Sequence, residues 1–480
     1  MIFLAPSDQN GNEYKFMSAR QTIPPSVIQE VKSNLALSTP LLTAWVIYAL
    51  VPFAGTAMIA HLGPNVLAAS VLVSTIWIAA TTFCSGIFHS VTILVSQQFG
   101  ANNNQAISEI MGQSFMMNIL SWILVMLLTL CVPYFVQWSA PNPEVFKYAT
   151  QYSHAIMWAA PGIIMLLTME YFLSAIGCTK LCLWISILQV PFAIIVLYIL
   201  IFGKCGLPAM GIRGIGYGQA ISFTFITAIL LIYLKFSRFT RDYHIYRYFG
   251  KVIWHYWIEI LRIGLPIGFT YFIELVAFTI ATYFISRFNA TALAAHQIIL
   301  QFQGVITCVH YALSQGTSIQ VGQNVGWQDK VGVWFASYVG VGISLVVGLL
   351  IAVPLILFPD SLLKIDLNAT EMQYSELIRQ SIILFTTFGI YQIFDSIRVV
   401  EAGALRGLKE TRFTMYVNIF CFFVFGLIAA YIFGIVLHGN AAGVWLGLTI
   451  GMGFGAFMLF LKLRSMVETA DLARIFAIKK

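Results

Sequence analysis

The sequence predicts an all-α polytopic membrane protein, with twelve transmembrane helices arranged as two pseudo-symmetric six-helix lobes. Three observations support this fold class: a low content of charged residues, twelve apolar runs of spanning length, and an internal repeat. Of the 480 residues, 59% are apolar and 9% are charged. A soluble domain carries about 25% charged residues because its surface faces water. Most of this surface must therefore face lipid, and a soluble globular class is excluded.

Apolar runs provide the second observation. A membrane-spanning helix needs about 20 mainly apolar residues, and the chain has twelve such runs. We expect the spans at about 35–60, 67–96, 106–135, 148–176, 181–203, 211–235, 257–287, 293–322, 331–358, 376–404, 413–437 and 441–464.

Basic residues predict the orientation. The loop after the sixth span carries five of them: Lys235, Arg238, Arg241, Arg247 and Lys251. Cytoplasmic loops are enriched in Lys and Arg, so we expect both termini in the cytoplasm. The same rule explains the net charge of +7 without a nucleic-acid partner. We expect a multi-pass protein of the plasma membrane, which is the inner membrane if the source is bacterial.

The third observation is a repeat at an offset of 226 residues. It aligns Ser38-Thr39-Pro40 with Gly264-Leu265-Pro266, and Val95–Gly100 with Val321–Gly326. Six spans in each half give the halves one orientation, as in transporters whose substrate path runs between two repeats. We expect five segments: a cytoplasmic segment 1–33, a lobe 34–235, a basic cytoplasmic linker 236–256, a second lobe 257–465 and a cytoplasmic tail 466–480.

Ionisable residues within the predicted spans are the candidate functional groups. A charge at the bilayer centre costs about 2.5–3.5 kcal/mol on insertion scales, so such residues are functional or tightly paired. Glu274 lies in the seventh span and Asp395 in the tenth. The repeat sets Tyr48 opposite Glu274, so this acidic pair belongs to the second half alone. A one-sided acidic pair indicates a cation site that drives transport.

Other acids of these spans are expected to be structural. Glu170 and Glu401 lie near the predicted cytoplasmic ends of the fourth and tenth spans, where a carboxylate can reach water. Arg398 stands three residues from both Asp395 and Glu401, and either spacing allows an ion pair on a helix. Both pairings stay open. We favour Glu401, because an acid one turn beyond the arginine then has a reason to be there and Asp395 remains free.

Several kinds of site are not indicated. The histidines, including His296 and His310, are scattered without ligand spacing. Gly214-Ile-Gly216-Tyr-Gly218 follows no predicted strand, so it indicates helix packing and not a nucleotide loop. No nucleophile and base stand at catalytic spacing. We expect no enzymatic activity and no cofactor beyond a coupling ion.

Several motifs resemble one family. These are the stretch from Pro266 through Glu274 to Ala294-Ala295-His296-Gln297, the stretch Glu401–Thr411, and Ala442-Gly443-Val444-Trp445-Leu446-Gly447. In this order they resemble the multidrug and toxic compound extrusion (MATE) family, especially its NorM-like branch. The resemblance covers about residues 35–465.

The resemblance implies a V-shaped antiporter that exports organic cations or drugs in exchange for Na+ or H+. It also implies a cation site in the second lobe, formed by Glu274, Asp395 and Tyr391. Na+ bound at Glu274 and Asp395 is the only metal expected. The other partners implied are the small-molecule substrates and the lipid bilayer, and we expect a monomer.

The sequence departs from the family pattern in two places. Many bacterial members carry an aspartate in the first span, where this chain has Ala54-Gly55-Thr56. Arg398 and Glu401 stand beside Asp395 where small or neutral residues are expected, and we regard them as possible modulators of the site.

Rival functions remain. A flippase for lipid-linked precursors shares the broader superfamily and would need a basic cleft. An intramembrane enzyme would need a nucleophile–base or metal constellation, and none is visible in the sequence. The repeat disfavours a receptor or a channel.

Overall fold

The computed structural model describes residues 26–139, 142–237, 240–366, 375–469 and 471–477. Within these residues there is no strand, and twelve helices are long and apolar enough to cross a membrane. The predicted fold class and the predicted number of spans are confirmed. In chain order, α1 to α12 are Val27–Ala60, Pro64–Gly100, Asn104–Gln137, Pro143–Ala175, Thr179–Phe202, Ile212–Phe236, Trp254–Ser286, Ala290–Gly326, Lys330–Leu357, Leu377–Gly407, Thr411–Val436 and Asn440–Thr469.

Several helices extend beyond the predicted apolar runs. The first begins at Val27, inside the segment 1–33 that was predicted to precede the lobe, and residues 1–25 lie outside the described chain. Ser26 and Gln29 form a capping box that fixes this start, because they satisfy backbone N–H groups left free at a helix terminus. The prediction from apolar runs missed this start because the first turns of the helix are polar.

Two helices depart from regular α geometry. In α1 the helix breaks at Ala49, between Val27–Tyr48 and Leu50–Ala60. Pro52 explains this, because its ring lacks the N–H that would bond the Tyr48 carbonyl and clashes with that carbonyl. In α11, the segments Phe420–Leu427 and Ile432–Val436 are π-helical. Wide turns of this type occur often at functional sites.

The contact between the lobes α1–α6 and α7–α12 runs along α2, which packs on α7 and α8. Two contacts in this interface between the lobes are related by a two-fold axis. A Cβ on Gly100 would overlap the carbonyl of Gln323, and a Cβ on Gly326 would overlap the carbonyl of Gln97. Both pairs are mates in the repeat at offset 226. The duplication predicted from sequence is therefore a structural one.

Hydrogen bonds join the lobes at the same level. The Asn34 amide donates to Thr317 at 3.0 Å and to Gln320 at 2.9 Å. The Gln97 amide donates to the Gly407 carbonyl at 2.9 Å. These residues lie near the start of α1 and the ends of α2, α8 and α10. We call this level the terminal end, defined by Val27, Gly100, Gly326 and Gly407.

The predicted linker 236–256 is shorter in the structure, because α6 ends at Phe236 and α7 begins at Trp254. Residues 238–239 lie outside the described chain, and residues 240–253 pack against the first lobe. Gln113 of α3 donates to the Lys251 carbonyl at 2.8 Å and accepts from the Ile253 N–H at 3.0 Å. The Tyr246 hydroxyl donates to the Leu231 carbonyl at 2.6 Å. Burial raises the pKa of Tyr246 to about 12, so this donor keeps its proton. The linker therefore has fixed contacts.

Candidate cation-coupling site

Three charged side chains predicted from sequence meet inside the second lobe. Glu274 comes from α7, and Asp395 and Arg398 come from α10. The Arg398 guanidinium lies with Nη2 2.6 Å from Asp395 Oδ1 and 3.8 Å from Glu274 Oε2. The side chains of Arg398 and Asp395 are each 2% exposed, and that of Glu274 is 11% exposed. The two carboxylates thus share one buried counter-charge.

The favoured pairing of Arg398 with Glu401 is wrong. Arg398 donates two hydrogen bonds to Asp395 Oδ1, from Nε at 3.1 Å and from Nη2 at 2.6 Å. Among the described residues, no ion pair joins it to Glu401. Side chains of an α-helix lean towards its N-terminus, so a long arginine reaches the residue three positions before it more easily than the one three positions after it.

Arg398 is held by more than its acids. Its Nη1 donates to Asn418 Oδ1 of α11, and Asn418 is itself fixed by a 2.8 Å bond to the Thr414 carbonyl. The guanidinium carbon lies 5.3 Å from the centre of the Phe422 ring, close enough for a cation–π contact. A Cβ on Gly455 of α12 would lie 3.1 Å from the arginine Cδ. Phe422 lies in the first π-helical segment of α11 and Asn418 lies two residues before that segment, so that helix shapes the pocket.

Two neighbours on α8 complete the site, and sequence analysis missed both in this role. His310 Nδ1 lies 3.3 Å from Asp395 Oδ2. The Tyr311 hydroxyl donates to Glu274 Oε2 at 2.8 Å. His310 was noted only as one of several scattered histidines. A histidine and a tyrosine next to each other in a span are a weak signal, and only the fold brings them to the two carboxylates.

Tyr391 lies one helical turn before Asp395, as predicted, and is fully buried. Its ring packs edge-on against Trp445, with centroids 5.4 Å apart. Within the described residues its hydroxyl has no hydrogen-bond partner. The structure therefore puts Tyr391 beside the site without a polar contact to it.

Hard cations bind oxygen ligands, and in this structure the facing oxygens of Asp395 and Glu274 both lie against the Arg398 guanidinium. Across the described parts of the chain, no three His, Cys, Asp or Glu side chains form a cluster that could hold a metal ion.

Comparison with known proteins decides the family. A model of the MatE family matches residues 40–199 and 266–432, which is more than half of the chain. The chain belongs to the MATE family. Its MATE relatives include the "Probable multidrug resistance protein NorM" of Pseudomonas aeruginosa, which is 30% identical over 437 residues covering 91% of this chain and 89% of that protein. A protein of the same name from Bacillus cereus is 28% identical over 439 residues, which cover 91% and 95% of the two chains.

A solved MATE structure shows the same fold. A mutant of the MATE transporter VcmN of Vibrio cholerae superposes with a TM-score of 0.83 at 18% identity, over 94% of this chain and 99% of that one. The resemblance to MATE proteins and the fold predicted from sequence are both confirmed. Family membership also confirms that the chain is a membrane transporter and not an enzyme.

Two further acids of this MATE protein, Glu170 and Glu401, are more deeply buried than the sequence predicted. Glu170 is 7% exposed and Glu401 is 1% exposed. The expectation that both carboxylates reach water is therefore wrong. The reason is that the last turns of α4 and α10, which end at Ala175 and Gly407, are buried against neighbouring helices. The Tyr48 hydroxyl donates to Glu170 Oε1 at 2.6 Å. Glu401 Oε2 has no hydrogen-bond partner among the described residues.

A chain of aromatic contacts links the MATE site to the lobe contact. Tyr311, which bonds Glu274, packs edge-on against Tyr271 with centroids 5.3 Å apart. The Tyr271 hydroxyl accepts from Arg406 Nη1 at 3.4 Å and lies 3.0 Å from Nδ1 of His89 on α2. Tyr311, Tyr271 and His89 thus connect the acidic site to the opposite lobe.

Proposed function

We propose that this MATE protein is a secondary active exporter of organic cations, which it exchanges for Na+ or H+ by alternating access. The observation that carries the proposal is the buried pair of carboxylates, Glu274 and Asp395, in one lobe of a two-lobe transporter. Its relatives are named as multidrug resistance proteins, which supports drugs as the substrate class.

An ion at this pair can drive the lobes only if it binds one conformation more tightly than the other. The aromatic contacts from Tyr311 through Tyr271 to His89 supply a physical connection for such a preference, because they end on the opposite lobe. The energy would come from the ion gradient, at about 2.3 kcal/mol per charge for each 100 mV.

The predicted orientation gives the conformation a direction. If both termini are cytoplasmic, the terminal end faces the cytoplasm. The lobes are joined there through α2, α7 and α8, so the cytoplasmic side would be the closed side of this conformation. Export would then require the contacts at Gly100 and Gly326 to separate.

An apolar crevice supports the substrate class. It lies between α2, α3 and α7 and has a volume of about 300 Å³. Its walls include Phe83, Phe269 and Phe272, and its lining is almost entirely apolar. Its volume lies at the lower end of the range for small-molecule pockets, about 300–1,000 Å³.

A flippase for lipid-linked pyrophosphates is less well supported. Such a substrate needs cationic groups that are free to bind phosphate. Arg398 is neutralised by Asp395 and Glu274, and Arg406 is buried against Tyr271. The site presents acids, which suit cations.

The test is efflux of a fluorescent organic cation from proteoliposomes under an imposed Na+ or pH gradient. We expect wild-type export under at least one gradient, and loss of export in Asp395→Asn. Asp360→Asn is the matched control, because that aspartate is exposed and lies outside the twelve spans. Export by Asp395→Asn at the wild-type rate, at equal incorporation, would reject the assignment of the site.

A further inference from the structure

The acidic site already contains a positive charge that belongs to the protein. Arg398 keeps its proton at every accessible pH, and its Nη2 lies between an oxygen of Asp395 and an oxygen of Glu274, at 2.6 and 3.8 Å. A coupling Na+ would bridge the same two carboxylates with the same charge. The guanidinium therefore stands where that ion would neutralise the pair.

Three of the four carboxylate oxygens of the pair are engaged. Asp395 Oδ1 accepts two bonds from Arg398, and Oδ2 contacts His310 at 3.3 Å. Glu274 Oε2 accepts from Tyr311 at 2.8 Å. A Na+ added to this arrangement would meet N–H donors on its inner side and would be repelled by the guanidinium.

Arg398 is also anchored against leaving. To move away, it would have to break its contacts with Asp395, Asn418 and the Phe422 ring together. Its side chain is 2% exposed, so water is not at hand to replace those contacts. Separating one partner of a buried ion pair is strongly unfavourable. Gly455 leaves the space through which the arginine stem passes, so the neighbouring helices are shaped around this residue.

We propose that Arg398 is a tethered cation that takes the place of Na+, and that it makes the wild-type site unable to bind Na+. This inference rests on the proposed function for its meaning in transport. It assigns Arg398 as the residue that determines ion selectivity. Replacing the guanidinium with a neutral side chain should open the carboxylate pair to Na+.

Direct binding tests the inference without relying on transport. Purified wild-type protein in nanodiscs is titrated with ²²Na+, with KCl or choline chloride keeping ionic strength constant. We expect no saturable Na+ binding by the wild-type protein. Because this measurement uses the wild-type protein, it does not depend on whether a variant folds. Saturable binding by the wild-type protein that is lost in Asp395→Asn would overturn the proposal.

Substitutions test the cause. Arg398→Gln should gain saturable Na+ binding, and NaCl but not KCl should raise its melting temperature, because a ligand that binds only the folded state stabilises it. Arg398→Lys keeps the charge and should still exclude Na+. Arg464→Gln is the matched control, because Arg464 pairs with Glu468 at 3.0 Å on an exposed face. Na+ binding by Arg398→Lys equal to that of Arg398→Gln would overturn the charge argument.

Transport separates this inference from the proposed function. Wild-type export should follow a pH gradient and ignore a Na+ gradient. Export driven by Na+ in the wild-type protein would reject the role of Arg398 and leave the exporter proposal standing. Failure of both gradients to drive export would instead reject the proposed function.

Discussion

The pairing of Arg398 can be tested by a rescue experiment on stability. Arg398→Gln removes the counter-charge and leaves two buried carboxylates, which should lower the free energy of unfolding by about 3–5 kcal/mol. At an effective dielectric constant of about 20, the attraction is about 6 kcal/mol for the 2.6 Å contact with Asp395 and about 4 kcal/mol for the 3.8 Å contact with Glu274. Asp395 is therefore the dominant partner by about 2 kcal/mol before desolvation is considered.

The expected result is that a second substitution, Asp395→Asn, partly restores the stability of Arg398→Gln, and that Glu274→Gln restores less. Thermal or denaturant unfolding of the purified variants in detergent measures both effects, and the two double-mutant cycles isolate the pairwise energies. Glu401→Gln serves as the third arm. Stronger rescue by Glu401→Gln than by Asp395→Asn would refute the geometry of the site.

Three further predictions follow from single positions. Glu274→Gln should weaken the dependence of export on the driving gradient. Tyr391→Phe should reduce export less and should lose no hydrogen-bond energy, because its hydroxyl has no partner among the described residues. Efflux and melting of both variants check this, and a larger loss of export in the Phe variant would contradict it. Gly326→Ala should lower the melting temperature, because its Cβ would overlap a carbonyl of α2, and a melting temperature equal to that of the wild type would contradict it. Gly55→Ala should instead raise stability by about 0.5–1 kcal/mol and leave export unchanged, since a Cβ there meets nothing within 4 Å; loss of export would reveal a role for this position.

Sequence patterns predicted the twelve spans because hydropathy depends only on composition along the chain. The ends of the helices were predicted less well. The last turns of α8 contain Gln320, Gln323 and Asn324, which read as polar and yet are buried between the lobes. Such residues are matched by partners from distant helices, as with the bond of Gln323 to the Ala175 carbonyl at 3.1 Å. A single sequence does not show those partners.

The candidate site shows the same division. Glu274 and Asp395 could be found because an acid inside an apolar span is conspicuous. The partner of Arg398 was predicted wrongly because spacings of three residues look alike in both directions, whereas side chains on a helix point one way. His310 and Tyr311 could not be assigned, since their role depends on how α8 crosses α7 and α10.

The reciprocal contacts of Gly100 with Gln323 and of Gly326 with Gln97 have the form of an isologous interface. In a two-fold dimer, one surface patch meets its own copy, so each residue contact occurs twice. Two half-length chains could associate through this patch before any covalent fusion. In such a homodimer every functional side chain would be present in both subunits. In this chain Glu274, Asp395 and Arg398 occur in one lobe alone. A fused chain can therefore specialise one lobe and keep the other as its structural partner, which a homodimer cannot do.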